Sequence, residues 1–173
     1  MFYKELETDR MILENISKND RTFIFEHFSD EVVTRYLYDE EPLKTIDGAD
    51  EIIEFYLKDE SCSQHRWILT RKSDGMKMGT CGFHCWDEAN SKIEIGYDLN
   101  EAFWGKGYME EAVRAIIDFV TQKKWLKQVD ACIYFENKRS ISLVEKLGFK
   151  LTDTKYDVFR GEKYLHHVYS LII

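Results

Sequence analysis

The stretch "FWGKGYMEEAVRAIIDFV", Phe103 to Val120, sets two glycines around a lysine ahead of apolar residues at Met109, Ala112, Val113, Ile116, Ile117 and Val120. That recurrence is the spacing of one helical face, so it predicts a helix starting near Gly107. A helix start leaves its first backbone N–H groups without intrahelical partners and carries the positive end of the macrodipole, so it favours an anion such as a phosphate. Gly105 and Gly107 allow a sharp turn and a close approach of backbone to ligand, with Lys106 between them as a cation. A plain turn ahead of a helix would use the same residues.

Two nucleotide motifs are excluded at this place. An ATP-type phosphate loop needs a glycine followed five residues later by Gly-Lys-Ser/Thr, which the chain lacks. A dinucleotide fingerprint needs a third glycine where Glu110 stands, within alternating βαβ units. The cysteines Cys62, Cys81, Cys85 and Cys132 raise a metal or a disulfide, and "CGFHC" sets His84 beside Cys85. The alternation there reads as a strand, on which Cys81 and Cys85 share a face about 13 Å apart, too far for a disulfide or a shared ion. The expectation is therefore buried reduced thiols and no metal.

The elements that position these residues follow from periodicity and punctuation. "LETDRMILENIS" reads as a first strand and "NDRTFIFEHFSDEVVTRYL" as a helix capped by Asn19 or Asp20. A second helix runs from Ile46 to Leu57 after a Thr45 cap. Three strands come next, "HRWILTRK", "MKMGTCGFHCW" and "SKIEIGYDL". In the last of them Ile93, Ile95, Tyr97 and Leu99 face one way, and Lys92, Glu94, Gly96 and Asp98 the other. After the glycine motif and its helix come the strand "QVDACIYF", the helix "KRSISLVEKL" stopped by Gly148, and a closing hairpin turned at Arg160 and Gly161. The pattern is α+β, one domain over residues 1–173, with a central, mostly antiparallel sheet of six to seven strands flanked by about four helices.

Composition bounds the partners. Apolar residues make up 44% and charged residues 32% of the 173 residues, as in a globular protein. The net charge of -8 argues against nucleic acid, because phosphate contacts need clustered Lys and Arg. No stretch approaches the roughly 20 apolar residues of a membrane span, and "MFYKELETDR" has no signal-peptide core. A cytoplasmic location with no membrane partner is the resulting expectation.

The segment Trp104, Gly105, Lys106, Gly107, Tyr108, Met109 resembles the donor-binding motif of the GNAT superfamily of N-acetyltransferases, Arg/Gln-x-x-Gly-x-Gly/Ala. Gly107 is the glycine that pattern demands, Trp104 replaces Arg/Gln, and Met109 replaces Gly/Ala. The form with Trp104 resembles the ribosomal-protein N-terminal acetyltransferases. A second block, "ENKRSISLVEKLGF", resembles the family's later motif through Asn137, Ser140, Glu145, Lys146, Gly148 and Phe149. Where many members carry a tyrosine as general acid, this chain has Val144. The order of elements resembles the family fold over nearly the whole chain.

The resemblance implies acetyl-CoA as co-substrate and an amine as acceptor, either a protein N-terminus of ribosomal type or a small-molecule amine. It puts the pyrophosphate on the N–H groups from Gly105 to Met109, beside Trp104 and Lys106, and the pantetheine arm along Tyr97 and Leu99, with Asn137 on the donor side. Glu94 is the expected base, in the family's "Glu-Ile-Gly-Tyr" stretch, with a pKa raised by burial. His84 is the competing base, since a histidine needs no large shift. Ser140 is the candidate to protonate the departing sulfur. Acceptor choice falls to the first two helices and to "YDEEPLKT", where Asp39, Glu40 and Glu41 form an acidic lip, with Trp86 and "YLHHVY" as an aromatic wall. Two alternatives stay open, a non-catalytic CoA-binding module and a homodimer through the closing strand edge.

Overall fold

Trp67, Ile68 and Leu69 are consecutive on a strand, point alternately to opposite faces, and are all fully buried. Both faces of the sheet are therefore covered, which is why this strand reads as a continuous apolar run. The computed structural model describes residues 3–37, 41–58, 63–124, 126–159 and 161–173. Its strands are β1 (Leu6–Glu7), β2 (Met11–Asn15), β3 (His65–Arg71), β4 (Lys77–Asp87), β5 (Lys92–Leu99), β6 (Gln128–Tyr134), β7 (Lys150–Phe159) and β8 (Glu162–Ile172). They form one sheet in the order β1-β2-β3-β4-β5-β6-β8-β7. Every neighbouring pair is antiparallel except β5 and β6.

The helices are α1 (Arg21–Ser29), α2 (Glu31–Thr34), α3 (Ile46–Leu57), α4 (Tyr108–Lys123) and α5 (Lys138–Lys146). On one face of the sheet, Ala112, Val113, Ile116 and Val120 of α4 and Val144 of α5 pack with Trp67, Leu69, Phe83 and Ile93. On the other, Ile24 and Phe28 of α1 and Ala49 and Ile53 of α3 pack with Ile16 and Ile68. The Val, Leu, Ile and Phe side chains among them contribute about 1.5–3 kcal/mol each when fully buried.

The expected architecture holds, with two differences of count among the described residues. The first expected strand is two strands, because the chain turns between Glu7 and Met11 and pairs Leu6 with Leu13. The first expected helix breaks at Asp30, whose extended backbone (ψ 115) ends α1 and whose carboxylate accepts from Val32 N–H to start α2. The caps also differ. Asp20 makes no side-chain cap bond to α1; its carboxylate reaches back to the Ser17 N–H at 2.7 Å in a capping box. Thr45 precedes α3 without a side-chain cap bond. Arg160 of the closing turn lies outside the described residues.

One polar cluster is built into the body of the sheet. Asp98 of β5 accepts from Arg66 (3.0 Å) and from the Thr80 hydroxyl (2.7 Å) and N–H (3.0 Å), and meets His27 Nε2 at 2.6 Å. It ties α1, β3, β4 and β5 together in a buried setting. Burial pushes the Asp98 carboxyl up, but His27, Arg66 and Thr80 together outweigh it and hold it below its ordinary value. A carboxylate with a depressed native pKa adds stability above its unfolded-state value and loses it as pH falls through the native one. Asp98→Asn is expected to cost about 3–5 kcal/mol in urea denaturation at neutral pH. The difference from the native chain should shrink as the pH drops below the carboxylate range.

Candidate functional site

The parallel strands β5 and β6 pair at Lys92–Gln128, Ile93–Val129 and Glu94–Asp130, and then part. Each is held by its other neighbour. β5 stays in register with β4 from Glu94–His84 to Leu99–Gly79, and β6 stays with β8 as far as Tyr134–His166. The gap opens into a cleft of about 720 Å³ that brings together Glu94, Tyr97, Asn137, Ser140 and His84. Strand edges that part leave backbone N–H and C=O groups for a ligand or water to satisfy.

The glycine loop stands past the end of β5. Gly105 and Gly107 have φ of +70° and +78°, the left-handed region that favours glycine, and Gly107 is the N-cap of α4. The first helical bond at this end is Glu111 N–H to Gly107 C=O at 3.1 Å, so the amides of Tyr108, Met109 and Glu110 are left for an anion. The Tyr108 and Met109 side chains are core. Trp104 donates its indole N–H to the Leu99 carbonyl at 2.7 Å, locking the loop to the end of β5. Lys106 is folded back on the Ala102 carbonyl at 2.7 Å.

Two arginines that sequence reasoning missed complete this loop. Arg10 pairs with Glu111 (2.6 Å) and donates to the Lys106 carbonyl (2.9 Å), clamping the turn against the first turn of α4. Arg139 lies 4.1 Å from the centre of the Trp104 ring, a cation–π contact. Arg139 is legible beside Asn137 in the second block, whereas nothing local marks Arg10, about a hundred residues from its partners.

Within the cleft, His84 Nε2 and Glu94 Oε2 are 3.6 Å apart, an ion-pair distance too long for a well-formed hydrogen bond. Here the structure corrects an expectation. Glu94 is held below the ordinary carboxylate range by His84 above all, against burial, with Lys155 and Lys92 adding to the effect. Gly96 makes room for the His84 ring to lie on the sheet, since a Cβ there would stand 2.9 Å from His84 Cε1. Tyr97 is raised above its usual range by burial, so its hydroxyl stays protonated, and it reaches the Ser140 carbonyl at 3.4 Å. Asn137 accepts from the Ser140 N–H at 3.2 Å as the α5 cap. Val144 is fully buried in the core, away from any proton-transfer role. Burial pushes the Cys132 thiol up to about 11.

The cysteine alternation is also corrected. Cys81 is in the core, but the register slips between His84 and Asp87, and Cys85 sits there at φ +53° and exposed. Its Sγ therefore falls near His84 and Glu94 and not on the Cys81 face. Cys62, Asp39 and Glu40 lie outside the described residues, and exposed Glu41 pairs with Lys44 at 3.4 Å. Trp86 packs on the core. An aromatic wall does form from the tail, with Tyr164 and His166 centred 6.0 and 5.9 Å from Tyr134, which also lies 5.9 Å from Tyr36.

Comparison with known proteins decides the family. A family model described as an acetyltransferase (GNAT) domain matches residues 10–150. The chain belongs to the GNAT acetyltransferase family. It is 31% identical over 170 residues to the N-acetyltransferase YoaA of Bacillus subtilis (strain 168), covering 96% of both chains. Its fold is similar to that of the ribosomal alpha-N-protein acetyltransferase RimL in complex with coenzyme A (TM-score 0.87, 14% identity, 98% of each chain). It is also similar to that of a spermidine N-acetyltransferase from Vibrio cholerae in complex with CoA and spermine (TM-score 0.82, 16% identity, 95% of this chain and 96% of that one). This GNAT chain is an acetyl-CoA-dependent N-acetyltransferase. No helix among its described residues is long and apolar enough to cross a membrane.

In this GNAT chain Gly107→Ala forces a side chain into the left-handed region at the mouth of α4. The expected outcome is a loss of about 1–2 kcal/mol in denaturation, together with weaker acetyl-CoA binding in titration calorimetry as the first amides turn away.

Proposed function

We propose that the chain acetylates a protein N-terminal α-amine by direct transfer from acetyl-CoA in a ternary complex, with Glu94, beside His84, taking the amine proton. The reaction needs a neutral amine at the thioester carbonyl, a group to accept the proton that the attacking nitrogen loses, and a proton for the departing thiolate. The observation that carries the reading is the pair of Glu94 and His84, 3.6 Å apart in the cleft where β5 and β6 part, a contact that biases Glu94 toward its ionised form. So weak a base suits an acceptor that sheds its proton near neutrality, and an α-amine ionises near ~7.7–8.0 whereas an alkylammonium such as lysine does so near ~10.4.

Two further observations support this choice. Among the described residues, acidic groups of the cleft are paired, Asp98 with Arg66 (3.0 Å) and Asp157 with Lys155 (3.7 Å) and His166 (3.1 Å). A polyamine would call for unbalanced carboxylates. Direct transfer is favoured over an acetyl-cysteine step because Cys132, the half-buried thiol of the cleft, holds almost no thiolate at neutral pH with its pKa pushed up to about 11. In this reading the parted edges of β5 and β6 hydrogen-bond the pantetheine amides along Tyr97 and Leu99. The free amides of α4 take the pyrophosphate, with Trp104, Gly105, Lys106 and Gly107 shaping the turn. Ser140 and the protonated Tyr97 hydroxyl stand where the sulfur departs, in place of the tyrosine that Val144 replaces.

The test is a panel of peptides with Ser or Ala termini, set against spermidine and an aminoglycoside and scored by release of free CoA. Turnover on peptides is expected; turnover confined to the small amines would overturn the acceptor assignment. Acetyl-CoA binding with no turnover on any amine would mark a non-catalytic module. Glu94→Gln is expected to lower kcat about 10²–10⁴-fold while acetyl-CoA affinity is kept. Tyr97→Phe and Ser140→Ala, compared in the same assay, apportion the proton to the sulfur. Because Glu94 stays ionised across neutrality, the acid limb of kcat/KM should follow the acceptor's own ammonium and move up by about 2.5 pH units when a lysine-type amine replaces the α-amine. An acid limb indifferent to the acceptor would remove that assignment.

A further inference from the structure

Regular alternation along β4 would send Cys85 to the face of Cys81 and Phe83, both fully buried against α4. The bulge instead holds Cys85 at φ +53°, a backbone conformation that costs a non-glycine residue about 1–3 kcal/mol. Its effect is to gather a thiol, an imidazole and a carboxylate: ligand atoms of Cys85, His84 and Glu94 all lie within 4.8 Å of one another. Tetrahedral zinc, with bonds of about 2.0–2.3 Å, sets its ligand atoms roughly 3.3–3.8 Å apart. The His84–Glu94 separation of 3.6 Å already meets that requirement. A rotation of the exposed Cys85 side chain brings in the third ligand.

We propose that His84, Cys85 and Glu94 form a site for a thiophilic divalent cation, with Zn²⁺ the best chemical fit, whose occupation takes Glu94 out of proton transfer. The second clause rests on the role given to Glu94 above; the first does not. Thiolate and imidazole exclude Mg²⁺ and Ca²⁺, which select oxygen ligands. Binding releases the Cys85 thiol proton to solvent, and the thiolate and carboxylate together then match the two charges of the ion. Gly96 lets the His84 ring lie against the sheet, which fixes its orientation toward the other two ligands. Lys155, the nearby cation that acts on Glu94, is itself drawn to Asp157 at 3.7 Å. A fourth tetrahedral position is left for water.

The experiment titrates the reduced, chelator-treated chain with Co²⁺ and follows the thiolate-to-cobalt charge-transfer band, a readout independent of turnover. The band is expected to saturate at one equivalent and to be displaced by Zn²⁺. Cys85→Ser should abolish it, His84→Gln should weaken Co²⁺ binding at least ten-fold, and Cys62→Ser should leave it unchanged. Acetyl-CoA binding by each variant checks that it folds. No band in the native chain, or one that persists in folded Cys85→Ser, overturns the site. Full N-acetyltransferase turnover at saturating Zn²⁺ overturns the blocking of Glu94 and leaves the metal site standing.

Discussion

The cleft exists because β5 cannot follow two neighbours at once. Its far end is anchored by Asp98, whose carboxylate is buried and must be fully paired to remain ionised there. His27, Arg66 and Thr80 supply the partners, and all of them lie on the β4 side or on α1. β6 is meanwhile paired along its whole length with β8. The two parallel strands separate after Glu94, and the space between them is the cleft. A polar cluster of this kind adds little net stability compared with apolar packing, but it selects one arrangement of the strands.

Around that opening, small departures from regular strand geometry decide which side chains meet. Gly96 lets His84 lie over β5, and the bulge at Cys85 brings a thiol to the same face. His84 in turn biases Glu94 toward its ionised form, against the burial that would raise it. The glycine loop is organised by different means: helix-terminal amides, two left-handed glycines, and a clamp by Arg10 from near the N-terminus. The glycine loop depends on backbone, the cleft beside Glu94 on side-chain pairs.

Much of this was legible in the residues. Helical spacing after Gly107 located α4, the Gly-Lys-Gly turn marked the left-handed glycines at its mouth, and the two motif blocks pointed to the family that the comparisons establish. Glu94, Tyr97, Asn137 and Ser140 were named from the sequence and meet in one cleft. The break of the first helix at Asp30 was hidden, because an aspartate that ends one helix and caps the next looks like any polar residue on a helical face. The direction of the Glu94 shift was hidden too, since burial could be guessed from the strand but the imidazole across from it could not. Arg10 gave no local signal, its partners being Lys106 and Glu111.

The sequence by itself determined the periodic elements, the α+β order and the donor motif, because these depend on residues within a few positions of one another, where spacing and backbone preference act directly. Tertiary structure alone decided where β5 and β6 part, which side of β4 Cys85 takes, and which groups bias Glu94. Those outcomes depend on contacts between distant segments, on burial, and on a one-residue slip in register, and a local pattern carries none of these.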